Sequence, residues 1–150
     1  MNRPVQIAGF LAQHGWDEAQ QKPLEADFSP RRFARLTRAD GAVACLMDAD
    51  ADQKTAEFVK IAKLLHGLGI AAPAIIAADP LQGLVLMEDF GDRNVGKLLD
   101  GGAEPKALYR RAVDVLVHLH RGFDVAATRG MDLPAFGGAL TCTVRAPLSR

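Results

Sequence analysis

The 150-residue chain predicts an α+β fold, a small mostly antiparallel sheet with one helix packed on it. Three observations predict it. Two pairs of short apolar runs, 32–37 with 42–47 and 73–78 with 84–88, are each joined by residues that favour turns. Three stretches around them, 2–14, 50–68 and 105–121, repeat apolar residues at helical spacing. Hydrophobic residues make up 49% and charged residues 24%, the mix of a chain that folds rather than one that stays disordered.

Taken in order, Asn2 is placed to cap a first helix, with Pro4 in its opening turn and Val5, Ile7, Phe10 and Leu11 on its apolar side. Gly15 ends it just before Trp16. From Leu24 the pieces shorten. Residues 32–37 alternate polar and apolar, Ala39-Asp40-Gly41 is a turn, and 42–47 make a second strand; Asp-Gly between two such runs is a hairpin signal. Asp50 is placed to cap the next helix, with Gln53 three residues later. Phe58, Ile61, Leu64, Leu65 and Leu68 should form one buried stripe while Lys54, Glu57, Lys60 and Lys63 stay in water, and Gly69 stops the helix. Residues 73–78 and 84–88 pair across the turn Asp79-Pro80-Leu81-Gln82-Gly83. A last helix over 105–121 carries Leu108, Ala112, Val115, Leu116 and Leu119 on its inner face. No element is expected in 131–150.

Charge and composition exclude several classes. Lys and Arg total 18 against 18 Asp and Glu, which argues against a general nucleic-acid or polyanion binder. Apolar runs such as 70–78 fall far short of the roughly 20 residues a membrane span needs, and residues 1–4 do not open a signal peptide. Cys45 and Cys142 are too few for a disulfide framework or a zinc site, as in a reducing cytoplasm. Cys45, inside a strand, reads as a small core residue. His118 and His120 stand two apart on a helix and face different ways, so they make no metal pair.

Particular residues then fall into a familiar order. Phe10-Leu11 with Gly15-Trp16 are similar to an opening helix, and Leu24, Asp27, Ser29, Arg31, Arg32, Phe33 and Arg35 to a phosphate-loop hairpin of the form L-x-G-D-A-S-x-R-R-[YF]-x-R. Met47-Asp48-Ala49 is similar to an M-D-A that ends a third strand. The stretch from Leu86 through Met87, Glu88, Asp89, Phe90 and Gly91 to Asp92 is similar to a hinge L-x-E-D-[LF]-G-D, and Leu119-His120 to the close of a linker helix. Over 5–140 the chain resembles the amino-terminal lobe of the aminoglycoside-phosphotransferase-like kinases. The nearest group is the bacterial sugar kinases that phosphorylate N-acetylmuramate and N-acetylglucosamine at the anomeric carbon in cell-wall recycling. The resemblance implies a protein-kinase-like amino-terminal nucleotide-binding lobe over 1–93. It implies a linker helix and the start of an incomplete carboxy-terminal lobe over 94–140, and leaves 141–150 unassigned.

The same resemblance implies a cytoplasmic, ATP-dependent phosphotransferase, with magnesium in the full-length family and neither nucleic acid nor membrane as partner. Adenine would meet the Glu88 carbonyl and the Phe90 N–H, with Met87 as the gate beside the ring; a plain strand end with an acidic turn fits the same residues. Asp27, Ser29, Arg31 and Arg32 would serve the triphosphate, since guanidinium groups form paired charge-assisted bonds to phosphate; a solvated basic turn is the other reading. Ala26 stands where the family has glycine, and Pro30 lacks an N–H that could donate to phosphate. The strand holding Cys45 has no lysine of the kind the wider fold pairs to a helix glutamate, a lack shared with the sugar-kinase group. Glu57 reads as a solvated helix residue, Lys54 and Lys60 carry no special claim, and His120-Arg121-Gly122 lacks the residues of a kinase catalytic loop.

No catalytic residue and no metal ligand is assigned in this chain. The family draws these from H-G-D-x-x-x-x-N and a later Asp, and no His-Gly-Asp occurs here. Residues 131–136 resemble the entry into the second lobe, and after Leu140 the likeness stops. The expectation is a truncated kinase, inactive alone, with a frameshift, a premature stop or a genuine short form left open, and 141–150 as out-of-frame residues in the first case. Val113, Leu116 and Val117 would then stand exposed and promote self-association. A noncatalytic binding module, and a fragment of an aminoglycoside kinase, are the alternatives. A small sugar or aminoglycoside acceptor is expected only with the second lobe.

Overall fold

The computed structural model describes residues 2–25, 30–50, 54–124, 126 and 129. Along them run α1 (Arg3–Gln13), β1 (Gln20–Pro23), β2 (Arg32–Thr37), β3 (Val43–Asp48), α2 (Thr55–Gly67), β4 (Ile75–Asp79), β5 (Leu84–Met87), α3 (Val95–Asp100) and α4 (Pro105–Gly122). The strands form one sheet in the order β1-β2-β3-β5-β4, each neighbouring pair antiparallel. The α+β expectation holds, with the sheet-and-helix arrangement of a kinase-like amino-terminal lobe. No described helix is long and apolar enough to cross a membrane.

Strand alternation divides the side chains between two faces. Leu36, Ala44, Leu46, Leu84 and Leu86 pack with Phe10 and Leu11 of α1 and with Trp16. Cys45, Met47, Val85 and Met87 pack on the other face with Phe33, Ile75, and Phe58 and Val59 of α2. Helices therefore cover both faces, where the sequence pattern pointed to one. Gly15 turns at φ +71°, and the Trp16 N–H returns to the Leu11 carbonyl at 2.9 Å, which tucks the indole into the core.

Both expected hairpins form. At the β2–β3 turn the Asp40 carboxylate accepts the Ala42 N–H at 3.0 Å, and Gly41 supplies a φ of +86°. At the β4–β5 turn Gly83 has φ +69°, and a Cβ there would lie 2.1 Å from the Ala49 carbonyl oxygen. Only glycine lets this turn rest on the end of β3.

Several elements differ from expectation. β1, Gln-Gln-Lys-Pro, has no apolar pattern because it is an exposed edge strand. α3 is too short to show a period; the Asn94 side chain caps it by accepting the Lys97 N–H at 2.9 Å. The expected Asp50 cap fails: α2 begins at Thr55, after Lys54 at φ 51°, and Asp50 instead lies 3.6 Å from Arg32. The α2 stripe is half-buried, and Thr55 and Ala62 are that helix's buried residues. Asn2 precedes α1 without a side-chain cap bond. The inner face expected for α4 is not buried either, since Val115 and Leu116 remain 49% and 53% exposed. Val113, Leu116 and Val117 are exposed, as expected for a linker helix left uncovered.

Candidate functional site

The candidate site grows from the end of β5. Leu84, Val85 and Leu86 are fully buried and Met87 nearly so, after which the chain leaves the sheet. In a continued antiparallel ladder, Glu88 and its partner would exchange two backbone bonds. Here the Glu88 N–H donates to the Ala74 carbonyl at 2.8 Å, but the Ala74 N–H donates to the Glu88 side-chain carboxylate at 3.2 Å. The carboxylate occupies the donor that the Glu88 carbonyl would have taken. Among the described residues no hydrogen bond uses the Glu88 carbonyl or the Phe90 N–H. An acceptor and a donor two residues apart are thus left unspent just past the end of β5. The Phe90 ring beside them is 57% exposed.

The next residues are held from the sheet. Asp89 accepts the Gly91 N–H, and Gly91 turns at φ +72°. The Arg35 guanidinium donates to both oxygens of Asp89 and to both oxygens of Asp92, the latter at 3.0 Å each. The Asp89 side chain is only 6% exposed. Its carboxyl is held below the ordinary carboxylate value by the Arg35 hydrogen bonds, burial opposing and the Gly91 N–H assisting. Asp92 is held low by the same guanidinium. In register with Arg35 lie Lys22, Cys45, Met87 and Ile75, one row across all five strands. Burial pushes the Cys45 thiol up to about 11, the Asp89 carboxylate adding and Arg35 opposing. At neutral pH it is a protonated core thiol, and its structural reading stands.

The basic residues at the start of β2 part company. Neighbours on a strand face opposite ways. The Arg31 guanidinium lies 5.3 Å from the centre of the Phe58 ring, on the side of Met87 and α2. Arg32 turns to the α1 side and meets Asp48 at 3.0 Å. Arg3 of α1 binds the same Asp48 and also donates to the carbonyls of Gln82, at 2.7 Å, and Ala49, at 3.0 Å. Burial alone would raise the Asp48 carboxyl, but the bonds from Arg32 and Arg3 outweigh it and leave it below its ordinary value. The structure thus sets Arg31 and Met87 on the α2 face, near opposite ends of the strands, with Glu88 and Phe90 beyond the end of β5, and sets Arg32 on the α1 face. Asp27 and Ser29 lie outside the described residues.

Met47 of β3 is fully buried on the site's face, and Glu57 of α2 makes no ion pair among the described residues. The His118 ring bonds the Leu68 carbonyl at 2.8 Å and the His120 ring the Leu116 carbonyl at 2.7 Å, so each is spent on structure. Among the described residues no group of three His, Cys, Asp or Glu is placed to hold a metal ion. Sequence reasoning assigned no role to Arg35, Asp89, Asp92 or the Glu88 carboxylate. Their only signal was membership in the motifs quoted above.

Known proteins are similar to this chain over most of its length. An N-acetylmuramate/N-acetylglucosamine kinase of Pseudomonas aeruginosa is 34% identical over 135 residues, covering 87% of this chain and 38% of that protein. An N-acetylmuramate/N-acetylglucosamine kinase of Caulobacter vibrioides is 29% identical over 145 residues, covering 79% of this chain and 40% of that protein. The chain thus spans about two-fifths of the length of these curated relatives. Residues 20–138 match the phosphotransferase enzyme family, and the chain belongs to that family.

Proposed function

We propose that the chain is the nucleotide-binding lobe of an ATP-dependent kinase whose acceptor is an amino sugar of the N-acetylmuramate or N-acetylglucosamine class. The observation that carries this reading is the hinge. The Glu88 carbonyl is set free by its own carboxylate, and the Phe90 N–H stands two residues on, an acceptor–donor pair that suits the N6 amino group and N1 of adenine. Met87 closes the inner end of that site. Arg31, with Asp27 and Ser29, serves the phosphates, while Arg32 anchors the strand through Asp48. The names of the two relatives support a sugar rather than an aminoglycoside acceptor.

Phosphoryl transfer also needs magnesium and a carboxylate that positions the acceptor hydroxyl. The described residues offer no cluster for the metal, and no His-Gly-Asp occurs in the 150 residues, so neither role is given to a residue here. The chain alone is expected to bind ATP and to leave the sugar unphosphorylated. ATP as donor goes with a cytoplasmic location. Titration calorimetry with ATP, beside an assay for sugar phosphate, tests this. Heat of binding without turnover is the expected pair of results. Absence of ATP binding would remove the reading, and turnover by the 150 residues would refute the assignment of roles.

A second reading, a noncatalytic binding module, is favoured by one observation. Tyr109, Val113, Leu116 and Val117 form an exposed stripe along α4. A tight stoichiometric partner indifferent to nucleotide would support it.

A further inference from the structure

We propose that Arg35 is a positioning residue that fixes the hinge, acting through Asp89 and Asp92 and without touching the nucleotide itself. The proposal rests on the nucleotide-binding reading for its purpose, and on the following geometry for its substance. Asp89 stands between Glu88 and Phe90, the two residues whose backbone groups face the base. A grip on Asp89 therefore fixes both at once. Arg35 supplies that grip with both edges of its planar fork, one pair of bonds to Asp89 and a second to Asp92. A lysine, with one compact charge, cannot make the two paired contacts together.

Three further observations separate this arrangement from an ordinary surface ion pair, which contributes little. The Arg35 and Asp89 side chains are only 20% and 6% exposed. Asp89 also takes the Gly91 N–H, which ties its carboxylate to the hinge backbone itself as well as to Arg35. Arg35 itself is immobilised in β2, paired to Lys22 on one side and to Cys45 on the other. The hinge is thus referred to the centre of the sheet, although in sequence it lies 54 and 57 residues from Arg35. The same strand begins at Arg32, directly after Arg31.

The test is backbone NMR relaxation of the 150-residue chain and of its Arg35→Met and Arg35→Lys variants, combined with titration by ATP and ITP. ITP reverses the donor and acceptor pattern of the adenine edge. In the parent chain the amide order parameters of Phe90, Gly91 and Asp92 should match the rigid value of about 0.85 found for ordered backbone. In Arg35→Met they should fall below about 0.6 while Leu46 and Leu86 stay rigid, with Arg35→Lys between. The preference for ATP over ITP should fall toward unity in Arg35→Met. Hinge order parameters unchanged in the variants would overturn the proposal, as would sheet and hinge loosening together. If Arg35→Met does not fold, the same comparison in Arg35→Lys decides. A parent chain that binds neither nucleotide would refute the kinase reading, while the relaxation data would still decide whether Arg35 fixes the hinge.

Discussion

Asp48 is gripped by two arginines, Arg3 from α1, 45 residues away in sequence, and Arg32 from β2, 16 residues away. Its carboxyl and that of Asp89 lie below their ordinary values in the folded chain. A group whose pKa is lower folded than unfolded stabilises the fold above its unfolded pKa, and that contribution is lost as pH falls through the folded one, because the unfolded chain binds more protons there. Urea unfolding should therefore show stability falling below about pH 4, the ordinary carboxylate range. Asp48→Asn should flatten that fall and lower stability at neutral pH by about 1–3 kcal/mol, since charge-assisted bonds to a half-buried group are lost. The residues of these grips are visible in the sequence, but their pairing is not. Arg35 has many acidic residues to choose from, and only the strand register brings Asp89 and Asp92 to it. The Glu88 carboxylate was hidden for another reason: its work is to replace a backbone bond, which no side-chain pattern records.

At the scale of elements, turn chemistry was the most legible signal. Asp40-Gly41 and the turn ending at Gly83 lie where the residue types demand, and the strands beside them follow within a residue or two. Gly83→Ala tests that logic, because it meets both a φ of +69° and the Ala49 carbonyl. It should destabilise the chain by more than about 1 kcal/mol in denaturant unfolding, with the ends of β3 and β5 losing amide protection first. What stayed illegible at this scale shares a cause. β1 is an edge strand held by backbone bonds, with no buried side chain to leave a pattern. α3 is six residues long, shorter than two turns. Asp50 has a capping side chain, yet α2 begins five residues later at Thr55, and the Asp50 carboxylate lies 3.6 Å from Arg32.

For the whole molecule, two faces of one sheet divide the labour. The α1 face is a closed core fastened at its edge by Arg3, Asp48 and Arg32. The α2 face carries Arg31, Cys45 and Met87, and the hinge follows directly on Met87 at the end of β5. Periodicity set Val115 on an inner face of α4, yet it stays as open as Val113, Leu116 and Val117, whose exposure was expected, since a pattern shows which side is apolar and not what covers it. The proposed nucleotide-binding function requires the Phe90 N–H and the Glu88 carbonyl to meet an adenine edge. The most direct measurement is the Phe90 amide resonance during titration with ATP and, separately, with ITP. A saturable downfield shift with ATP and a much smaller one with ITP is the predicted result. Equal response to both nucleotides, or none at Phe90 while other amides move, would contradict it.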